Sequence, residues 1–281
     1  MTWHDDIVNL HRAYGPVVRI APNEASIVDA GAQKKLYSHG SKARKTSCET
    51  DTKIHGALRR RVSAAFSMSS ILKYEKGAGA DTTAIGMRSC LYFILQNPSV
   101  YQRLQKEIDD YYVSANLQQP ISFQQTQELP YLKSVIAEAT RLYPSIVYQL
   151  LRHVPDGGME VNGHFLPAGT PVGMSPIAAN RDKAIWGEDA DVFLPERWLE
   201  DPERSTYLES YNMTYGGHGS RACIGRNLAL VEMNKFVAQM MRNFNMEITD
   251  RRNPWKIKTY WFMDQLEFKI RVFPREHKIL L

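Results

Sequence analysis

The sequence predicts a mainly α fold with small β-sheets, an α+β class. Three observations predict it. Long stretches with apolar residues at helical spacing fill the middle and the last third of the chain. Short β-rich pieces, punctuated by glycine and proline, lie near both ends and late in the middle. The 281 residues, 43% of them apolar, suffice for one large core or two small ones.

Each element follows in chain order. Residues 17–20 and 24–28 read as short strands around a turn at Ala21-Pro22-Asn23. Residues 58–66 read as a basic helix. Residues 80–96 form a rather apolar helix that stops at Asn97-Pro98. A second helix starts there, with proline in its first turn, and runs to about residue 112. A glutamine-rich loop leads to a helix over 131–142, which ends before Pro144. From 147 to 176 the pattern turns to strands, with Gly157-Gly158, Asn162-Gly163 and Pro167-Ala168-Gly169 as turn signals. Residues 226–244 form a helix with Ala229, Met233, Phe236, Val237, Met240 and Phe244 on one stripe. The tail over 259–272 is β-rich. No internal repeat or low-complexity tract interrupts the chain, so one domain over residues 1–281 is expected.

Composition excludes several classes. The 35 basic and 30 acidic residues leave a formal charge of +5, scattered except at Lys34-Lys35 and Arg59-Arg60-Arg61. That points to a solvated face, or one that docks an acidic partner, and not to nucleic acid. Cys48, Cys90 and Cys223 are an odd and sparse set, which argues against a disulfide scaffold and for a reducing compartment. No run of 18 apolar residues exists, so no membrane span is expected. The opening MTWHDDIVNLHRAYG carries acids and lacks the apolar core of a signal peptide.

The stretch YGGHGSRACIGRNLALVEM, residues 215–233, carries the chemistry. Cys223 stands where an apolar helix begins. A helix start favours an anion, and the thiolate is the form of cysteine that binds metal. Gly219 and Gly225 flank it and permit close backbone approach to a flat ligand. Free backbone N–H groups near the sulfur can tune a metal thiolate. Arg221, two residues away, can pair with an anionic group on the same ligand. His218 reads as part of the loop and not as a second ligand. One soft ligand does not make a zinc site, but it suits a cofactor that brings four ligands of its own, such as haem.

The segment Gly219-Ser220-Arg221-Ala222-Cys223-Ile224-Gly225 resembles the haem-thiolate signature of the cytochrome P-450 monooxygenases. That family usually places an aromatic residue seven before the cysteine. Here Gly216 holds that position and Tyr215 lies one further upstream, as if one residue were inserted. Glu138-Ala139-Thr140-Arg141 matches the family's Glu-x-x-Arg; alone it would read as an ordinary ion pair on one helix face. Phe193-Leu194-Pro195-Glu196-Arg197-Trp198 resembles the Pro-Glu-Arg-aromatic segment, and Arg197 would complete a buried triad with Glu138 and Arg141. Ala78-Gly79-Ala80-Asp81-Thr82-Thr83 matches the oxygen-activation segment, where Asp81 and Thr82 would relay protons. Taken alone, these two residues are ordinary helix caps. His55 and Arg59, in His55-Gly56-Ala57-Leu58-Arg59, would hold a haem propionate, as would Arg152. Arg60 and Arg61 remain for the surface and an acidic reductase.

The resemblance implies an incomplete cytochrome P-450 fold with haem b (iron protoporphyrin IX) ligated by Cys223. Gly219, Gly225 and Arg221 would help to hold it. The implied reaction inserts one oxygen atom of dioxygen into a small apolar substrate, by hydroxylation or demethylation of a secondary metabolite or aromatic compound. Electrons would come from an NADPH-dependent flavoprotein reductase. The family also implies association with the endoplasmic reticulum membrane. The match breaks at Glu75–Lys76, where several pocket-roofing helices and half of the central helix are expected. Residues 44–55 look shortened, and the anchor helix expected before Trp3 is absent. An open pocket would admit water to the reactive centre and expose apolar faces. A catalytically inactive remnant or isoform is therefore the alternative reading.

Overall fold

A computed structural model of the protein describes residues 3–38, 41–45, 81–215, 217, 219, 221–259 and 261–276. The first helix, α1 (Trp3–Tyr14), carries Asp5 and Asp6 in its first turn and His11 and Arg12 in its last, which complements the helix dipole. Strands β1 (Val17–Ala21) and β2 (Glu24–Ile27) follow as an antiparallel hairpin. Helix α2 (Ala30–Tyr37) starts at Asp29, whose side chain accepts the Ala32 N–H at 2.7 Å. Strand β3 (Arg44–Lys45) closes the first part.

The helical body comes next: α3 (Asp81–Gln96), α4 (Pro98–Ser114), α5 (Phe123–Thr126) and α6 (Pro130–Leu142). Proline opens both α4 and α6, where its missing N–H has no helical partner to lose. Ser122 and Gln125 cap α5 reciprocally. Strands β4 (Arg152–His153), β5 (Met159–Val161), β6 (His164–Leu166) and β7 (Pro171–Gly173) follow. One five-stranded sheet has the order β1-β2-β7-β4-β3, with β2 and β7 parallel. Then come the short α7 (Pro176–Ala179) and α8 (Lys183–Trp186), a 3₁₀ turn at Pro195–Trp198, and α9 (Pro202–Tyr211). The chain ends with α10 (Arg226–Asn243), β8 (Phe244–Ile248), the β9 (Lys256–Thr259)–β10 (Met263–Leu266) hairpin, and β11 (Ile270–Pro274) paired with β8.

The main core lies between α3, α4, α6 and α10, with Ile94, Leu104, Ile108, Leu132, Val135 and Val237 fully or almost fully buried. Each such side chain contributes about 1.5–3 kcal/mol. A second core joins α2 to the five-stranded sheet through Leu36, Val172 and Met213.

Two expectations are corrected. Phe244 does not end the last helix; it begins β8, because its backbone pairs with Pro274 across the chain. The single apolar stripe on α10 is also too simple. Its buried residues are Val231, Met233, Asn234, Val237, Ala238 and Met241, while Ala229, Phe236 and Met240 are only partly covered. Neighbours α3, α4, α5 and α6 all pack against α10, so more than one face is covered. The expected basic helix over 58–66 lies outside the described residues.

Candidate active site

The Cys223 loop is a tight thumb between Tyr215 and the start of α10. The Cys223 N–H donates to the Tyr215 carbonyl at 2.9 Å, and the Ala222 N–H to the Gly219 carbonyl at 3.2 Å. Gly225 occupies the N-cap of α10. Cys223 is exposed and unpaired in any disulfide. Gly219 has φ +88°, and a Cβ there would come within 2.7 Å of the Ser38 backbone. The open side of Gly219 meets the end of α2. Gly225 lines the cavity at Cys223, with room for an ordinary contact to the Cys223 sulfur.

The cavity measures about 430 Å³, within the range of small-molecule sites. Thr82, Thr83 and Gly86 of α3 form one wall, and Leu228, Ala229 and Met233 of α10 another. Ile146, Leu150 and Trp261 add apolar surface. Two guanidiniums, Arg152 and Arg221, complete the lining. Arg152 is buried, donates to the Leu151 carbonyl at 2.9 Å, and lies 4.7 Å from the Tyr37 ring centroid. Burial lowers its pKa from the usual arginine value, Tyr37 opposes that shift, and the Arg221 charge adds to it. Two like charges lining one cavity favour an anion between them. A flat apolar body with two carboxylates and one open metal position fits this lining: the carboxylates to the guanidiniums, the metal to the Cys223 thiol. Haem has that chemistry.

Other expected residues divide. Thr82 lines the cavity, whereas Asp81 is exposed at the first described turn of α3 and is not part of the lining. Tyr215, the displaced aromatic, lines the cavity and lies under the Arg226 guanidinium at 5.4 Å. Burial raises the Tyr215 phenol above its usual pKa, and the neighbouring Cys90 adds to the rise. His55 and Arg59 lie outside the described residues, as do Ala78, Gly79, Ala80, Gly216, His218 and Ser220.

Behind the cavity, Glu138 is fully buried between Arg141 and Arg197. Arg141 grips it through two hydrogen bonds of 2.8 Å, and Arg197 Nε donates at 2.9 Å. Burial works against the Arg197 charge, yet Glu138 and Asp189 raise its pKa. Two further partners join the cluster. Trp198 Nε1 donates to Glu138 at 2.9 Å. Asn180 accepts the Met213 N–H at 2.9 Å and donates to the Arg141 carbonyl at 3.1 Å. The Thr214 hydroxyl donates to the Thr140 carbonyl at 3.1 Å. These bonds tie the approach to the cysteine loop onto α6. Trp198 had been visible as the aromatic of its segment; nothing in the sequence marks Asn180.

Among the described residues no cluster of three His, Cys, Asp or Glu side chains could hold a metal ion. Nor is any described helix long and apolar enough to cross a membrane.

Comparison with known proteins locates the chain. The Cytochrome P-450 family model matches residues 76–271, beginning where the sequence suggests a junction. A pisatin demethylase of Fusarium vanettenii is 43% identical over 199 residues, covering 71% of this chain and 37% of its own length. Cytochrome P-450 monooxygenase ACRTS1 of Alternaria alternata is 36% identical over 188 residues, covering 67% of this chain and 50% of its own. A crystal structure of the cytochrome P-450DA heme domain aligns with TM-score 0.61 at 23% identity, over 70% of this chain and 42% of that one, a likeness of fold. The chain thus spans half or less of the length of these relatives. With the family model covering most of its residues, the chain belongs to the cytochrome P-450 family.

Proposed function

We propose that this chain is the cysteine-bearing part of a haem-thiolate monooxygenase acting on a small apolar substrate, by hydroxylation or demethylation. The observation that carries the reading is the shared cavity: the exposed Cys223 thiol, the apolar walls, and the Arg152 and Arg221 guanidiniums. Haem b, when bound, supplies the activation of dioxygen. Cys223 holds the metal through sulfur. Arg152 and Arg221 pair with the propionates, joined by His55 and Arg59, and Gly225 gives the loop its close approach. Thr82 presents a hydroxyl at the cavity wall for proton delivery, fed from Asp81 at the helix start. Glu138, Arg141 and Arg197 hold the loop in place from behind. Electrons come from an NADPH-dependent flavoprotein reductase. By family resemblance the protein associates with the endoplasmic reticulum membrane. The names of the relatives, monooxygenases and demethylases, support this reading.

The coverage of the relatives favours a second reading, a shortened and catalytically inactive haem-binding form with a deletion at Glu75–Lys76. The reduced, carbon-monoxide-bound absorption spectrum tests the first reading. A thiolate-type Soret band that disappears in Cys223→Ala supports it, and an unchanged band contradicts it. Turnover with reductase then separates the active protein from the inactive form.

A further inference from the structure

The Ser145 hydroxyl donates to the Thr82 carbonyl at 2.6 Å. Both residues line the cavity that holds Cys223. Thr82 lies in the first described turn of α3, where a helical carbonyl accepts the amide four residues on, here that of Gly86. A carbonyl has two lone pairs, so Ser145 is a second donor to the same oxygen. Hydroxyls bonded to helix carbonyls bend helices and lengthen the backbone bond. Gly86 makes room for Met233, whose Sδ would lie 2.8 Å from a Cβ there, and lies beside Ser145, whose Oγ would be an ordinary 3.9 Å away.

Ser145 does not float. Its carbonyl accepts the Met263 N–H at 3.1 Å, and the Val147 N–H donates to the Trp261 carbonyl at 3.2 Å. Ile146 forms an antiparallel bridge with Phe262. The hydroxyl is thus presented from a ribbon fixed to the β9–β10 hairpin, at the point where hairpin and α3 meet the cavity.

We infer that Ser145 is a positioning residue: its hydroxyl loosens α3 at Thr82 and sets the Thr82 side chain at the cavity wall. The geometric part stands on the hydrogen bond alone, and the consequence for turnover rests on the proposed relay role of Thr82. Gly86 reports the geometry. Removing the second donor strengthens the helical bond, so Ser145→Ala slows amide exchange at Gly86 several-fold, while Ser145→Thr, which keeps a hydroxyl, retains the parent rate. An exchange rate that is unchanged or faster in Ser145→Ala overturns the inference, since an ordinary anchor would fray the turn on removal. In the haem-loaded protein with reductase, Ser145→Ala raises the hydrogen peroxide released per NADPH consumed, and Ser145→Thr restores it. Thr82→Ala is the control. If it leaves that ratio unchanged, the relay reading of Thr82 fails while the Gly86 result still judges Ser145. If it changes the ratio and Ser145→Ala does not, the positioning role fails alone. The thermal midpoint and the carbon-monoxide spectrum of each variant check that it is folded.

Discussion

The carboxylate cluster at Glu138 and the cavity at Cys223 share helix α6, yet they follow opposite rules. Around Glu138 every charge is met. Its two oxygens receive Arg141 and Arg197 in full burial, and the half-buried Trp198 indole and Leu194 N–H. At Cys223 two guanidiniums share a cavity and the thiol stands exposed. The first region is complete as the chain folds. The second brings two positive charges and a thiol to one cavity, the arrangement of a site that trades stability for binding. The difference teaches where substitutions should be felt as stability and where as binding.

The largest expected effect breaks the closed region. Glu138→Gln removes the shared charge, taking from buried Arg141 its carboxylate and leaving Arg197 only Asp189, costing about 3–5 kcal/mol and lowering the thermal midpoint. A midpoint within a degree of the parent would mean that the cluster is not a lock. Next, Arg152→Leu acts on the open region. It deletes a charge-assisted partner worth about 1.5–3 kcal/mol, so haem affinity should fall roughly ten- to a hundred-fold in a titration. Cys223→Ala sharpens the contrast further: an exposed side chain leaves the unfolding free energy of the ligand-free protein within about 0.5 kcal/mol of the parent. The carbon-monoxide spectrum is nevertheless lost.

The smallest effect lies away from both regions. Burial lowers the His11 pKa below 6.5, and burial likewise lowers that of His4. Both rings are therefore kept neutral by the fold. Their contribution to stability is full above pH 6.5 and is lost as pH falls through that value toward the folded pKa. His11 bridges the Gly15 carbonyl and the Ser26 hydroxyl, so the protection factors over α1, with the intrinsic pH dependence of exchange divided out, should fall between pH 7 and pH 5. The fall should be weaker in His11→Gln.

The two regions also differ in how far the sequence disclosed them. The long helices were legible because their burial is periodic and proline opens α4 and α6. Cys223, Glu138 and Arg141 were legible because spacing along the chain sets them beside a helix start or on one helix face, and Arg197 only through the resemblance of its segment. What surrounds them was not. Asn180 works through backbone groups 33 and 39 residues away, and no local pattern announces such a partner. Gly219 signalled a close approach without saying to what, and the neighbour is the end of α2. Phe244 followed the helical period, but pairing with β11 decided its backbone. Non-local contacts account for each of these differences.

The central claim is that sulfur of Cys223 is the ligand this cavity offers to iron. X-ray absorption at the iron edge of the purified, haem-loaded protein tests it most directly. The account predicts one sulfur scatterer in the first shell, absent from Cys223→Ala. A shell of nitrogen and oxygen alone in the parent protein, or a sulfur that persists in the variant, would contradict it.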